Sequence, residues 1–294
     1  MRRPSVAVMA VLFAILTATA NAVALATQHV ASTSGRSDAS GWRFVLFLLR
    51  HPLWLFGWLA LGASLVFQAL ALHFGPMSLV QPFLVAELVI ALVLRRVWIR
   101  QSIRPVTWAA AAATTIGLTI FLATTSPHAP GSTSTSTAWT APVITCFVVT
   151  GALVVSGWRG SPSRRAACFA SATAVLWALE ATFIKTATNT FTAHGLTGSL
   201  ARWPFYAFVV GGVAGLVCEQ TALHVGPLKV SQPFIVIVDP IVSIGLGLWL
   251  FHERLTGGAL HLGVGVVAFA AMCAGVLVLT KTAPDSMRAE PHFP

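Results

Sequence analysis

Nine stretches of about twenty residues, nearly free of charged side chains, divide this 294-residue chain. A bilayer's hydrocarbon core is about 30 Å thick and takes about 20 apolar residues to cross as a helix. Inside it, every backbone N–H and C=O has to be bonded within the protein. Helices are expected over 6–26, 52–72, 77–98, 106–125, 139–157, 166–188, 203–223, 228–251 and 258–280. Outer-membrane barrels are written instead in short alternating segments, and none occurs here. Only 9% of the residues are charged and 56% are hydrophobic, whereas soluble domains carry about 25% charged residues. The fold class is therefore an all-α polytopic membrane protein. The first run follows MRRP and contains ATANA, features shared with secretory signal peptides. It continues past any cleavage site and is read as the first span.

The chain contains one stretch twice. ALHFGPMSLVQPFLV (71–85) and ALHVGPLKVSQPFIV (222–236) are offset by 151 residues without a gap and agree at nine of fifteen positions. Each copy joins the end of one span to the start of the next. Proline lacks an N–H and its ring clashes with the carbonyl four residues back. Gly75, Pro76 and Pro82, and likewise Gly226, Pro227 and Pro233, are therefore expected to interrupt the helices, with Pro82 freeing the carbonyl of Ser78 and Pro233 that of Lys229. Interrupted helices at equivalent places in two halves point to the binding centre of a secondary transporter.

The organisation read from this is four spans, one linking span and four spans. Residues 1–125 form the first repeat. Residues 126–165 hold a Ser/Thr-rich linker, the fifth span and the basic loop WRGSPSRR. Residues 166–280 form the second repeat, and 281–294 a disordered tail. An odd number of spans between the copies makes the repeats inverted. The net charge of +10 resides in short loops between apolar runs, a pattern that orients membrane proteins rather than one that binds nucleic acid. With alternating spans, thirteen Lys and Arg residues fall on one side and five (Arg2, Arg3, Lys185, Arg202 and Arg254) on the other. The basic side is cytoplasmic by the positive-inside rule. That puts the N-terminus outside and the C-terminus inside, in the cell membrane.

Ionisable residues at the centre of a span cost about 2.5–3.5 kcal/mol on insertion scales. Glu87 and Asp239 lie near the middle of the third and eighth spans, one place out of register in the repeat alignment. Glu180 lies inside the sixth span and Glu219 near the inner end of the seventh, with Gln68 its repeat counterpart. These residues either line a polar pathway for a substrate, proton or cation, or pin helices together as hydrogen-bonded structural groups. Lys185 either pairs with one of the carboxylates or snorkels to the interface. Gln81 and Gln232 recur beside the prolines, where an amide serves freed backbone groups or faces substrate. His73 and His224 recur before the Gly-Pro turns as relay or capping residues. GGVAG (211–215) suits close helix contact. Trp54, Trp98, Trp139, Trp158 and Trp203 fit an interfacial belt. Cys146, Cys168, Cys218 and Cys273 are scattered without metal or disulfide spacing. No phosphate loop, hydrolase triad or specific metal cluster is present in the sequence, so no enzyme activity or cofactor is expected and the metal question is open.

The repeated ALxxGPxxxxQPF, VDPIVSIGLG (238–247) and FHERLTGG (251–258) resemble the drug/metabolite transporter superfamily, nearest to actinobacterial members of the EamA and NIPA-like type. The resemblance covers about residues 6–280. EamA-type relatives usually carry ten helices, and this chain lacks the tenth, as NIPA-type members do. The resemblance implies a secondary transporter working by alternating access, with its site between the halves. The expected partners are the lipid bilayer and a small-molecule or cation substrate; a homodimer is a compatible assembly. A NIPA-like Mg²⁺ transporter and a non-transporting membrane scaffold are the alternatives.

Overall fold

The computed structural model describes residues 4–33, 51–99, 102–125, 127–128, 136–255 and 258–282. Those residues form ten α-helices: α1 Pro4–Thr33, α2 Pro52–Phe74, α3 Met77–Leu84, α4 Ala86–Leu94, α5 Pro105–Thr125, α6 Thr140–Gly157, α7 Pro162–Leu200, α8 Trp203–Val225, α9 Leu228–Leu250 and α10 Ala259–Thr282. With α3 and α4 taken together as one span, nine helical stretches among the described residues are long and apolar enough to cross a membrane. A π-helical turn, Arg95–Ile99, extends α4. The linker and tail expected from sequence lie mostly outside the described residues. Within the linker, β1 Pro127–His128 pairs antiparallel with β2 Arg254–Leu255.

The chain forms two compact units, Met1–Phe74 with Phe83–Ser102, and Gly75–Pro82 with Ile103–Pro294. They are not the two sequence halves, because α5 groups with the second-half helices. In the first unit, Ala10, Ala14, Ala18 and Ala22 of α1 are fully buried. This spacing of four makes one small-residue stripe that lets α1 lie close along α2 and α4. Phe13 stacks on Phe67 and Phe74 at centroid distances of 6.3 and 5.8 Å.

The second unit is built around α7, which packs against α6, α8 and α9. Ala166, Ala170, Ala174 and Ala178, again four apart, are fully buried. The helix outruns its expected span at both ends. Ser161 caps it by accepting from the Arg164 N–H at 3.4 Å, and Pro162 fills the first turn, where no donor is needed. The expected basic loop is thereby shortened, with Arg164 and Arg165 inside the helix. At the far end, residues 189–200 stay helical across a kink at Gly195, whose φ of 68° suits glycine.

In the same unit, α5 and α10 lie along each other. Thr107 donates to the Thr282 hydroxyl at 3.1 Å. A Cβ on Gly275 would collide with Thr114 Oγ1 and sit 2.9 Å from the Ala110 carbonyl oxygen. One on Gly117 would lie 2.6 Å from the Ala268 carbonyl oxygen, and one on Gly265 would lie 3.2 Å from Thr124 Oγ1. Partners fall on one helix as they rise on the other, so the helices are antiparallel. Under the 151-residue offset Gly117 corresponds to Ala268, Thr114 to Gly265 and Thr124 to Gly275. The Thr114–Gly275 and Thr124–Gly265 contacts are therefore one contact with its partners exchanged.

Two expectations need correction. The Gly-Pro pairs do end helices, at Phe74 and Val225, and the chain does break at Val85, three residues beyond Pro82. The second copy does not break: α9 runs without interruption through Pro233 and Pro240. A proline removes a single backbone bond, and Pro82 and Pro233 each stand sixth in their helices, where the clashing carbonyl belongs to the second residue. Downstream, the first copy has Ala86 and Glu87, with the Glu87 carboxylate drawn to α1; the second has Ile237 and Val238. Trp139, expected in an interfacial belt, is 6% exposed. It stacks on Phe183 at 5.7 Å and meets Trp203 and Phe251 edge-on at 5.1 and 6.2 Å.

Candidate functional site

The first Gly-Pro turn belongs to the second unit and is held there by charge. Met77 and Ser78 open α3, and their N–H groups have no partner within the helix. Glu253 caps them from another part of the chain. Its carboxylate accepts from the Met77 N–H at 2.6 Å, the Ser78 N–H at 2.9 Å and the Ser78 hydroxyl at 2.7 Å. Lys185 of α7 donates to the same carboxylate at 2.9 Å and to the Gly75 carbonyl at 3.1 Å. Its ammonium lies 4.7 Å from the centre of the Phe251 ring, within cation–π range. The Glu253 side chain is completely buried and that of Lys185 nearly so.

Local backbone turns Glu253 inward. His252 takes φ 50°, a left-handed conformation in which His is enriched among non-glycine residues. The Phe251 and Glu253 N–H groups then both donate to the Gly247 carbonyl, at 3.2 and 3.1 Å. A Cβ on Gly247 would lie 2.5 Å from Glu253 Oε2, so the carboxylate folds back only over glycine. The second Gly-Pro turn has a different seat, where Gly226 lies against the Pro162 carbonyl and Ala166 at the start of α7. The two turns therefore touch α7 at separate places, one at its N-terminus and the other at Lys185, beyond its midpoint. The nineteen positions from Ala166 to Lys185 correspond to roughly 30 Å at a rise of about 1.5 Å per residue.

The carboxylates of the long apolar helices are divided between the units. In the first, Asn21 of α1 donates to Glu87 at 3.0 Å, and Gln68 of α2 is half-buried. In the second, Glu180 of α7 rests against Gly212 of α8, where a Cβ would come within 2.8 Å of Oε1. Asp239 of α9 accepts from the Ser243 hydroxyl at 3.0 Å and is near enough to Glu180 for the two charges to interact. Glu219 of α8 lies beside the Trp177 indole of α7. Glu180, Asp239 and Glu219 thus gather on three neighbouring helices, and Glu180 makes no side-chain hydrogen bond among the described residues. Gln81 is buried and its amide nitrogen finds no partner among the described residues, so that nitrogen does not serve the carbonyl freed by Pro82. Gln232 is half-buried, and His73 and His224 are exposed at the helix ends.

Sequence reasoning missed Glu253, which entered only as part of FHERLTGG, and left Lys185 without this partner. No group of three or more His, Cys, Asp or Glu side chains is placed to hold a metal among the described residues.

Fold and site together describe an all-α class of protein whose described residues hold nine helices long and apolar enough to cross a membrane, with a charge clamp on one Gly-Pro turn. No family model and no solved structure matches the chain. It is 25% identical over 252 residues to an uncharacterized protein of Corynebacterium glutamicum, a match covering 84% of this chain and 86% of that protein.

Proposed function

We propose that the protein is a secondary transporter of the drug/metabolite type, with two inverted repeats that move a small metabolite, a drug-like cation or an ion by alternating access. The observation that carries this reading is the separation of the duplicated Gly-Pro turns along α7, one seated at Pro162 and Ala166 and the other bonded by Lys185. An inverted repeat requires such a placement, and a tandem one forbids it. The exchanged contacts between α5 and α10 support it further, because a two-fold axis between the repeats brings a residue onto its own counterpart. Glu180 and Asp239 are the proposed substrate contacts, since a half-buried carboxylate without a helix-pinning donor is the one left to meet cargo. A Mg²⁺ cargo would be held largely through its retained waters.

A second reading, a non-transporting scaffold, is favoured by the hydrogen bond that ties Glu87 to Asn21. Proteoliposomes loaded with a Mg²⁺-sensitive dye, and assayed separately for tetraphenylphosphonium uptake, decide between the two. Transport should carry one of these probes and fall at least tenfold in Glu180→Gln. Flux that survives Glu180→Gln with Asp239→Asn removes the assigned site, and absence of any flux leaves the scaffold.

A further inference from the structure

Four helix ends of the second unit converge where α6 stops at Gly157, α7 starts at Pro162, α8 stops at Val225 and α9 starts at Leu228. An apolar floor closes the seam: Phe169, Ala170 and Ala222 are buried, with Val154, Val225 and Ile235 packed against them. Gly157 lies on Cys168 and Phe169, and Gly226 on the Pro162 carbonyl. These two close approaches bring His224 and Lys229, remote in sequence, to the same end as Arg159, Arg164 and Arg165.

Arg159, Arg164 and Lys229 are exposed and Arg165 is half-buried. Arg164 folds over Gly160, where a Cβ would sit 3.1 Å from its Cδ. The Nε of Arg165 is enclosed without a hydrogen-bond partner among the described residues. Glu219 is the acidic side chain of α8 toward this end, and it lies beside the Trp177 indole. No ion pair joins any of the four cations to a carboxylate among the described residues. Basic residues at a span end are ordinarily a solvated face that orients the chain. Here they come from two separate connections at one end of the unit, one of them with an enclosed guanidinium nitrogen that has no partner among the described residues, beside apolar helix ends and the exposed Trp158.

We propose that this end of the unit binds the phosphate headgroup of an anionic phospholipid, with Arg159, Arg164, Arg165 and Lys229 holding the phosphate and the neighbouring helix surfaces taking the acyl chains. Guanidinium forks match phosphate oxygens in pairs, and clusters of Lys and Arg at the membrane surface recognise anionic lipid. The inference rests on the membrane reading of the nine helices and not on transport.

The test uses full-length protein in detergent, titrated with phosphatidylglycerol or phosphatidylcholine and read by native mass spectrometry. Wild type should retain phosphatidylglycerol in preference to phosphatidylcholine. Arg164→Gln with Lys229→Gln, both at exposed positions, should weaken retention about 25-fold, at about fivefold per charge. Arg202→Gln with Arg254→Gln removes the same charge at other exposed positions and should retain the lipid. Equal loss in that control, or unchanged retention in the Arg164/Lys229 variant, overturns the proposal. So does displacement of the lipid by millimolar inorganic phosphate, which would reassign the site to a soluble anion.

Discussion

A carboxylate buried against two helix N–H groups and an ammonium is stable only as a set. Taking each ion out of water costs several kcal/mol, recovered when every lone pair and proton finds a partner. Glu253 has four donors, and the dipole at the start of α3 adds to them. Lys185→Met should leave that carboxylate with neutral donors alone, and Glu253→Gln should leave the ammonium with the Gly75 carbonyl and the Phe251 face. Each substitution is expected to cost about 3–5 kcal/mol. The double variant should lose clearly less than the two losses combined, because it removes both charges together. Thermal unfolding in detergent reads all three variants, and strictly additive losses would show that the pair does not act as a unit. Lys185 was legible in the sequence as a cation inside a span. Glu253 was not, because it comes after its span among polar residues where a carboxylate reads as solvated. Its burial depends on the missing Cβ at Gly247 and the turn at His252, neither of which has a local sequence signature.

Elements are governed by close approach. The α5–α10 seam depends on glycines that let backbone meet backbone, and this makes its substitutions directional. Gly117→Ala would push a Cβ into the Ala268 carbonyl and the Met272 backbone. Overpacking of this kind costs about 1–3 kcal/mol, seen as a lower melting temperature. Gly263→Ala, in the same α10 with nothing within 4 Å, should be neutral or slightly stabilising, since it removes backbone freedom from the unfolded chain. Equal effects at both positions would mean that the close approach at Gly117 does not set the cost, since helix propensity alone favours Ala over Gly at either site. The nine spans were legible because hydropathy at this length leaves the backbone few alternatives. The end of α7 was not, because residues 189–200 are Thr- and Gly-rich and carry no apolar signal. Nor was the different fate of Pro82 and Pro233, which share their local sequence and differ in the residues downstream, Ala86 and Glu87 against Ile237 and Val238.

At the scale of the whole molecule, the duplicated turns matter most. Lys185 bonds Gly75 near one end of the buried part of α7, and Pro162 receives Gly226 at the other. That separation, roughly 30 Å by helix rise, matches the hydrocarbon thickness. His73 and His224 flank the two turns, correspond to each other under the 151-residue offset, and are both exposed. With Cys146, Cys168, Cys218 and Cys273 replaced by alanine, a single His73→Cys should react with a membrane-impermeant maleimide in intact cells. A single His224→Cys should react only after permeabilisation if the side that collects thirteen Lys and Arg residues faces the cytoplasm, as the positive-inside rule expects. Labelling of both from outside would contradict an inverted repeat and remove the main support for transport. The opposite pattern, with His224→Cys outside and His73→Cys inside, would keep the inversion and reverse the orientation, moving the Arg164–Lys229 cluster away from the leaflet that attracts it.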